Sequence, residues 1–190
     1  MAGNQQWLDA GLRTLEELGA PGLTIERLMG QVGLSKGSFY HHFGGMAGFK
    51  TALLAHYEAK FTTAYVDAVE QDPDVAPVVK VRLLLDMVCT EDDDWYLEVA
   101  LRAWALHDPE VMQAQERVDR IRVDYLRGLW RQLSGDPDQA ALMGRLLYMM
   151  LIGAGQIRPP VLAGELRELY EFVLGLVRVD GQPVTAGTPR

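Results

Sequence analysis

The sequence predicts an all-α protein of about nine helices. Apolar residues recur along most of the chain at the three- and four-residue spacing of one helix face, and no stretch alternates as a half-buried strand does. Three predicted helices carry a proline in the first turn, at Pro77, Pro109 and Pro137, where its missing N–H leaves no hydrogen bond unmade. The chain divides into a three-helix head (1–45), a larger helical body (46–180) and a Gly-, Pro- and Thr-rich tail (181–190) that is expected to be disordered.

The head begins with one amphipathic helix. Its apolar stripe contains Trp7, Leu8, Leu12 and Leu15, and a Gly-Ala-Pro-Gly sequence at 19–22 ends it. We expect this helix to pack on the two short helices that follow.

Residues 24–43 predict two short helices joined by a tight turn. Thr24 and Ser35 are good N-caps, because each hydroxyl can accept a hydrogen bond from an otherwise unpartnered amide. Gly33 lies where the chain must turn with a positive φ. The expected buried faces contain Ile25, Leu28, Met29 and Val32, followed by Phe39 and Phe43.

This arrangement is typical of a helix-turn-helix, whose second helix lies in the major groove of DNA. Lys36 can donate to a phosphate, and Gly37 allows a backbone to approach closely. The short or planar hydrogen-bonding side chains on the same helix are Ser38, Tyr40, His41 and His42. The alternative is a helical hairpin that merely packs, and the outward polar groups favour DNA binding over it.

The body is predicted to contain six helices. The first runs from about Met46 to Glu70 and can act as a lever, because it begins beside the DNA-reading helix and ends in the body. Glu98 and Arg102 are four residues apart in the orientation that favours an ion pair. Of the other five helices, the first is predicted to begin at Pro77, the second to cover about 94–107 and the third about 109–133. The fourth is predicted to begin at Pro137, and the fifth to cover 165–177.

The head resembles the N-terminal domain of the TetR family of bacterial transcriptional regulators, through the sequences GLTIERL, VGLSKGSFYHHF and FKTALL, over roughly the first 55 residues. Met46 stands where the family commonly has a lysine, and Met29 stands where it commonly has a small alanine. The partners that the resemblance implies are an operator in double-stranded DNA and a second copy of the chain. The residues that it implies at the DNA are Thr24, Ser35, Lys36, Gly37, Tyr40 and His42, with Ser38, Phe39 and His41 facing or supporting the groove.

The last two helices are the candidate dimer interface. The resemblance implies that they form a four-helix bundle with their copies in a second subunit, since a helix-turn-helix reader usually needs two half-sites. The alternative is that both apolar stripes pack only within the chain. The expected interface residues are Leu142, Leu146, Met149, Met150, Leu166, Leu169, Tyr170, Val173, Leu174 and Val177.

Aromatic and methionine side chains are frequent in the body. Each one alone is accounted for by core packing, but as a set they suggest an adaptable apolar cavity, because methionine fills irregular space and aromatic rings stack on flat ligands. In the resembled family such a cavity holds an effector, so we expect a small apolar or aromatic one. The candidate lining residues are Met87, Trp95, Tyr96, Trp104, Met112, Tyr125, Trp130, Met143 and Tyr148.

The charge distribution restricts the kind of DNA binding that is expected. The chain carries a net charge of −8, whereas residues 1–50 contain four basic and four acidic side chains and are neutral. A neutral head on an acidic body should bind DNA through a small surface, and its affinity should fall as salt rises. A general nucleic-acid coat protein, which would be basic throughout, is therefore disfavoured.

No sequence motif supports catalysis, a cofactor or a metal site. The acidic run 91–94 is expected to be a solvated loop in which Asp94 caps the next helix. Cys89 lies in an apolar run and is expected to be buried, and the chain has neither a signal sequence nor a long apolar span, so a cytoplasmic protein is expected.

We therefore expect a ligand-responsive regulator that is not an enzyme. It would bind a near-palindromic operator as a homodimer and be released by a small molecule. Two alternatives stay open: activation instead of repression, and a helical enzyme or small-molecule carrier whose head has lost DNA reading.

Overall fold

The computed structural model describes residues 2–89, 95–176, 178–179 and 182–183. Over these ranges the chain is helical apart from its turns and one antiparallel pair of two-residue strands, so the all-α prediction is confirmed. The predicted loop at 91–94 and nearly all of the predicted tail lie outside the described residues. The elements are α1 (Ala2–Leu18), α2 (Ile25–Val32), α3 (Lys36–Phe43), α4 (Met46–Glu58), α5 (Ala64–Val69), α6 (Pro77–Val88), α7 (Trp95–Ala105), α8 (Pro109–Ser134), α9 (Pro137–Gln156), α10 (Ala163–Leu176), β1 (Arg178–Val179) and β2 (Gln182–Pro183).

Helices α4 and α5 form one continuous helix, because a π-helical turn at Ala59–Thr63 joins them without a break. The prediction of one long helix from Met46 to about Glu70 is confirmed, but the π turn is a feature that the sequence pattern did not indicate. When α4 and α5 are counted together, the described part of the chain contains nine α-helices, as predicted.

The predicted proline and aspartate signals mark the starts of the later helices. Asp136 accepts hydrogen bonds from the amides of Asp138 and Gln139 at 2.9 and 3.2 Å, so it caps α9. Asp108 accepts from the amide of Glu110 at 3.0 Å at the start of α8.

The described chain forms two compact units, and neither coincides with the predicted head or body. Unit 1 contains Met1–Thr63 and Asp94–Val118, and unit 2 contains Ala64–Asp93 and Asp119–Arg190. The boundary differs from residue 45 because α1 packs against α4 and α7 as well as α2. The roles assigned to 1–45 and 46–180 stay predictions.

Unit 1 has one hydrophobic core that includes the head. Its fully buried side chains come from all of its helices, so the predicted helix-turn-helix of α2 and α3 shares a core with α4, α7 and the start of α8. The largest of them are Trp7, Leu15, Leu28, Phe39, Phe49, Leu53, Leu97 and Leu101.

Unit 2 contains a buried polar cluster beside its core. The Lys80 side chain is only 5% exposed, and its Nζ lies 2.5 Å from Glu70 Oε2. The Tyr125 hydroxyl donates to Glu70 Oε1 at 2.8 Å. Hydrogen bonds from Lys80 and Tyr125 lower the pKa of Glu70, and burial raises the pKa of Tyr125. Glu70 directly follows α5, so this cluster holds the C-terminal end of the long helix to α6 and α8.

No helix in the described ranges has the length and hydropathy needed to span a bilayer. Cys89 is 8% exposed, which confirms that its thiol is buried.

Candidate nucleic-acid interface

Helices α2 and α3 are built from the caps and the turn that the sequence predicts. Thr24 Oγ1 accepts from the Arg27 amide at 3.3 Å, and Ser35 Oγ accepts from the Ser38 amide at 3.2 Å. Gly33 has a φ of 69° and its N–H donates to the Met29 carbonyl, which ends α2 and turns the chain toward α3. The predicted helix-turn-helix geometry is therefore present.

Phe39 anchors α3 to the rest of unit 1. Its side chain is fully buried, and its ring centroid lies 5.3 Å from Trp7, 5.2 Å from Phe43 and 5.3 Å from Phe49. The prediction that Phe39 lies on the buried face of α3 is confirmed, and a side chain with no exposed surface can support the groove-facing residues but cannot itself contact DNA. Its role is to fix the orientation of α3 from behind.

The remaining predicted residues of α3 lie on its outer side. Lys36, Gly37, His41 and His42 are exposed, Tyr40 is 46% exposed and Ser38 is half-buried. Thr24 and Ser35, which cap the two helices, are exposed as well. The structure thus brings eight of the nine predicted DNA-binding residues to the surface of the motif.

His42 differs from its neighbours because it lies against the first turn of α1. A Cβ placed on Gly3 would lie 3.2 Å from His42 Nε2, a contact tight enough that the ring would have to shift by a few tenths of an ångström. The His41 and His42 rings are 5.4 Å apart. Of the two, His41 has less contact with its own chain and is the better placed to reach a base.

The start of α3 provides the electrostatic feature that phosphate requires. The first amides of a helix have no partner within the helix and carry the positive end of its dipole. Lys36 adds a full positive charge at this end, and α3 contains no acidic residue. This combination suits an anionic backbone.

The joint between α3 and α4 is tightly packed. Gly44 and Gly45 have φ values of 69° and 152°, conformations that favour glycine. A Cβ placed on Gly48 would lie 2.1 Å from the Phe43 carbonyl oxygen. The close approach of these two backbones fixes the angle between α3 and the long helix.

An ion-pair cluster ties the start of α4 to the α7–α8 turn. Lys50 Nζ lies 2.7 Å from Asp108 Oδ2 and 2.9 Å from Glu110 Oε2, and Thr51 donates to Glu110 Oε1 at 2.5 Å. Hydrogen bonds to these carboxylates raise the pKa of Lys50. The Lys50 bond lowers the pKa of Asp108, and the bonds from Thr51 and Lys50 lower that of Glu110. No local sequence pattern indicates this contact between residues about 60 positions apart.

The predicted pocket residues are divided between the two units. Trp95, Tyr96, Trp104 and Met112 belong to unit 1, and the other five belong to unit 2. Tyr96 is 58% and Met112 is 44% exposed, so both side chains lie largely on the surface of unit 1, and their role in a pocket stays a prediction. The reason for Tyr96 is helical geometry, since its sequence neighbours Trp95 and Leu97 occupy the buried face of α7. The unit 2 residues are Met87, Tyr125, Trp130, Met143 and Tyr148; Trp130 is fully buried, and a role for this set in a pocket stays a prediction.

Unit 1 contains two concave sites among its described residues. Of the predicted pocket residues, Trp104 lines one of these sites, and none lines the other. It borders a site of about 260 Å³ together with Leu23, Phe49 and Met46. Met46 thus replaces the family's common lysine with a side chain that borders an apolar recess. The second site, of about 680 Å³, lies between α1, the π turn and α7.

The predicted dimer stripe is partly used inside unit 2. Leu166, Tyr170 and Leu174 are at most 4% exposed, and the Tyr170 hydroxyl donates to the Leu147 carbonyl of α9 at 2.9 Å. The prediction that these three face a second subunit is wrong, because they pack α10 onto α9. Met150 and Val173 are half-buried, and Val177 lies outside the described residues.

The other face of α9 and α10 is apolar and exposed. Among the predicted residues, Leu142 is 74%, Leu146 38%, Met149 57% and Leu169 43% exposed. Sequence reasoning missed Leu162, Phe172 and Leu176, which are 66–70% exposed. The sequence does contain an indication of this face, because the apolar residues at 162, 169, 172 and 176 recur at a helical spacing that differs from the predicted stripe.

Comparison with known proteins agrees with the geometry of the motif. Residues 8–53, which run from α1 into α4, match the model of the family described as bacterial regulatory proteins, tetR family. The match covers the N-terminal part of the chain and includes α2 and α3 in full.

Two relatives extend the similarity to different lengths. The chain is 32% identical to the transcriptional regulator AcuR of Cereibacter sphaeroides over 84 residues, which are 44% of this chain and only 38% of AcuR. It is 26% identical to the HTH-type transcriptional regulator BetI of Stenotrophomonas maltophilia over 155 residues, which are 78% of this chain and 77% of BetI.

Structural similarity to a solved protein extends beyond the matched motif. The solved structure of E. coli NemR in its reduced form superposes with a TM-score of 0.78, covering 93% of this chain and 98% of NemR at 17% identity. At this identity the likeness concerns the fold alone. The all-helical arrangement of this chain is therefore similar to that of NemR over nearly the whole length of both chains.

Proposed function

We propose that this protein is a ligand-responsive transcriptional regulator that binds a near-palindromic operator as a homodimer. A repressor released by a small molecule is the form we favour. The observation that carries the proposal is α3, a short helix with a fully buried anchor at Phe39 and an outer face free of acidic residues. Such a helix can enter a major groove without disturbing the core that holds it.

The side chains of the motif divide into two kinds of contact. Lys36, the two cap hydroxyls and the first amides of α3 would hold phosphates, which position the protein without reading sequence. Ser38, Tyr40 and His41 would approach base edges, where sequence is read.

The exposed apolar face of α9 and α10 supports the homodimer. Leu146, Met149, Phe172 and Leu176 lie on helices that pack together within unit 2 and leave large apolar side chains uncovered. Two copies of such a helix pair can bury these faces in a four-helix bundle. A twofold dimer would present two α3 helices to half-sites about one helical turn apart.

The long helix supports coupling between effector and DNA. Its N-terminal end packs against α3, and its C-terminal end is held by the Glu70–Lys80 pair. A ligand that shifts this helix would lower operator affinity, and the operator would lower ligand affinity by the same factor. The effector class that we expect is small and apolar or aromatic.

The test uses the salt dependence of DNA binding. Binding to a fragment that flanks the protein's own gene is measured by fluorescence anisotropy from low to moderate salt. Lys36→Ala should weaken binding to all fragments similarly and reduce the salt slope by about one. Arg120→Ala, which removes an exposed arginine of unit 2, is the matched control and should leave the slope unchanged.

An unchanged slope for Lys36→Ala would contradict the proposed position of α3. A protein that binds none of its flanking DNA at low salt, and instead converts a small molecule, would favour the enzyme or carrier alternative.

A further inference from the structure

A groove of about 680 Å³ crosses unit 1 away from α3. Its walls come from one face of α1, from the end of α4 with the π turn, and from Leu97 of α7. Its volume is in the range of small-molecule sites, roughly 300–1,000 Å³. None of its lining residues belongs to α2 or α3, so an occupant would not compete with DNA for the same side chains.

The floor of the groove is apolar. Leu12 and Leu97 are 4% and 2% exposed, so only a small part of each faces the opening. Phe61 is half-buried and lies in the π turn. These three side chains provide a surface for an apolar group of limited size.

The charged residues around the floor differ in how closely they are paired with oppositely charged or hydrogen-bonding groups. Asp9 Oδ1 lies 2.9 Å from His56 Nε2 but 3.9 Å from Lys60 Nζ, so the carboxylate is held mainly by the histidine. Lys60 is about half exposed, and its ammonium lies 5.1 Å from the centre of the Phe61 ring. Within the described residues Arg13 has no ion-pair partner, while Glu16 has an interaction partner of its own. The positive charges are therefore the ones available to a ligand.

The π turn is the local cause of this arrangement. A π turn contains one residue more than an α turn, so it shifts the side chains around the helix axis at that point. Lys60 and Phe61 lie in this turn, and both line the groove. Such turns occur often at functional sites.

We propose that this groove binds a small monocarboxylate with an apolar tail. The carboxylate would pair with Arg13 and Lys60, and the tail would lie on Leu12, Phe61 and Leu97. Arginine is well suited to carboxylates because its planar fork donates two parallel hydrogen bonds. A dianion such as a phosphate ester is disfavoured, because Asp9 and Glu16 lie in the same groove and would repel its second charge.

The experiment measures binding to the full chain by isothermal titration calorimetry at low salt and without DNA, so its outcome does not depend on the proposed function. The probes are 3-phenylpropanoate, its neutral amide, and 3-phenylpropylammonium. We expect the carboxylate to bind about tenfold more tightly than the amide, because hydrogen bonds to an ionised acceptor are stronger than those to a neutral one.

Arg13→Gln and Lys60→Gln should each weaken carboxylate binding by about tenfold, since each removes one charged donor. Arg120→Gln is the matched control and should bind the carboxylate as the unchanged protein does. Equal binding of carboxylate and amide, preferential binding of the ammonium, undetectable binding of the carboxylate, or carboxylate binding that is insensitive to both groove substitutions would each overturn the proposal.

Discussion

The joint between α3 and α4 gives a sharp test of how the DNA-reading helix is held. In Gly48→Ala the new Cβ would lie 2.1 Å from the Phe43 carbonyl oxygen, whereas such contacts essentially never fall below 3.0 Å. One backbone must therefore move by 3.0 − 2.1 = 0.9 Å. Overpacking of this kind costs about 1–3 kcal/mol, and the better helix propensity of alanine offsets about 1 kcal/mol of that.

Two assays follow the consequence. Thermal unfolding by circular dichroism should show a Tm lower by up to about 8 °C, because the net cost is up to about 2 kcal/mol and each kcal/mol shifts the Tm of a chain of this size by about 2–4 °C. Operator affinity at 20 °C, where the variant is still folded, should fall by about tenfold or more, because α3 is displaced relative to α4.

Gly128→Ala is the matched control. It also places an alanine inside a helix, but a Cβ there meets no atom within 4 Å, so stability should rise by up to about 1 kcal/mol. If Gly48→Ala melts and binds DNA as Gly128→Ala does, the close approach at this joint does not position α3.

Three further predictions concern charge and assembly. Lys50→Met should lower the free energy of unfolding by about 1 kcal/mol at pH 7. The carboxylates of Asp108 and Glu110, which pair with Lys50, have lowered pKa values, so the pairing stabilises the fold above their unfolded pKa values of 3.8 and 4.5. The difference in unfolding free energy between Lys50→Met and the wild type should therefore shrink as pH falls through the folded pKa values. Urea denaturation at several pH values measures this difference, and a constant difference would contradict the pairing. Glu70→Gln should lower the free energy of unfolding by about 3 kcal/mol, more than Lys80→Met does, because it removes the carboxylate that pairs with a buried side chain. The double variant should recover part of this loss, and the reverse order of the two single variants in chemical denaturation would contradict the importance of this pair. Phe172→Glu should convert the proposed dimer into a monomer in analytical ultracentrifugation. Leu106→Glu, at a side chain 79% exposed in unit 1, should not, and dimers in both variants would place the interface elsewhere.

The helix-turn-helix could be predicted in detail because its signals are local. Thr24, Gly33 and Ser35 act within three or four residues of their own positions, so caps and turn follow from spacing alone. Phe39 was predicted to be buried and also to face or support the groove, and only its position among three other aromatic rings shows that it supports α3 from the core.

Features that depend on packing could not be predicted in the same way. Apolar spacing showed that α10 is amphipathic, but two faces of the helix carry apolar residues, and only the contact of Tyr170 with Leu147 decides which face is internal. The Lys50 cluster and the groove at Arg13 and Lys60 join residues that are far apart in sequence and have no shared motif.

The central claim is that α3 enters the major groove as one of a symmetric pair. Cys89 is the only cysteine in the sequence and is buried, so His41→Cys provides one accessible attachment point for an iron-EDTA cleavage reagent on α3. The labelled protein on operator DNA should produce two symmetric cleavage clusters about 10–10.5 base pairs apart. A single cluster, or cleavage spread evenly along the fragment, would contradict the claim.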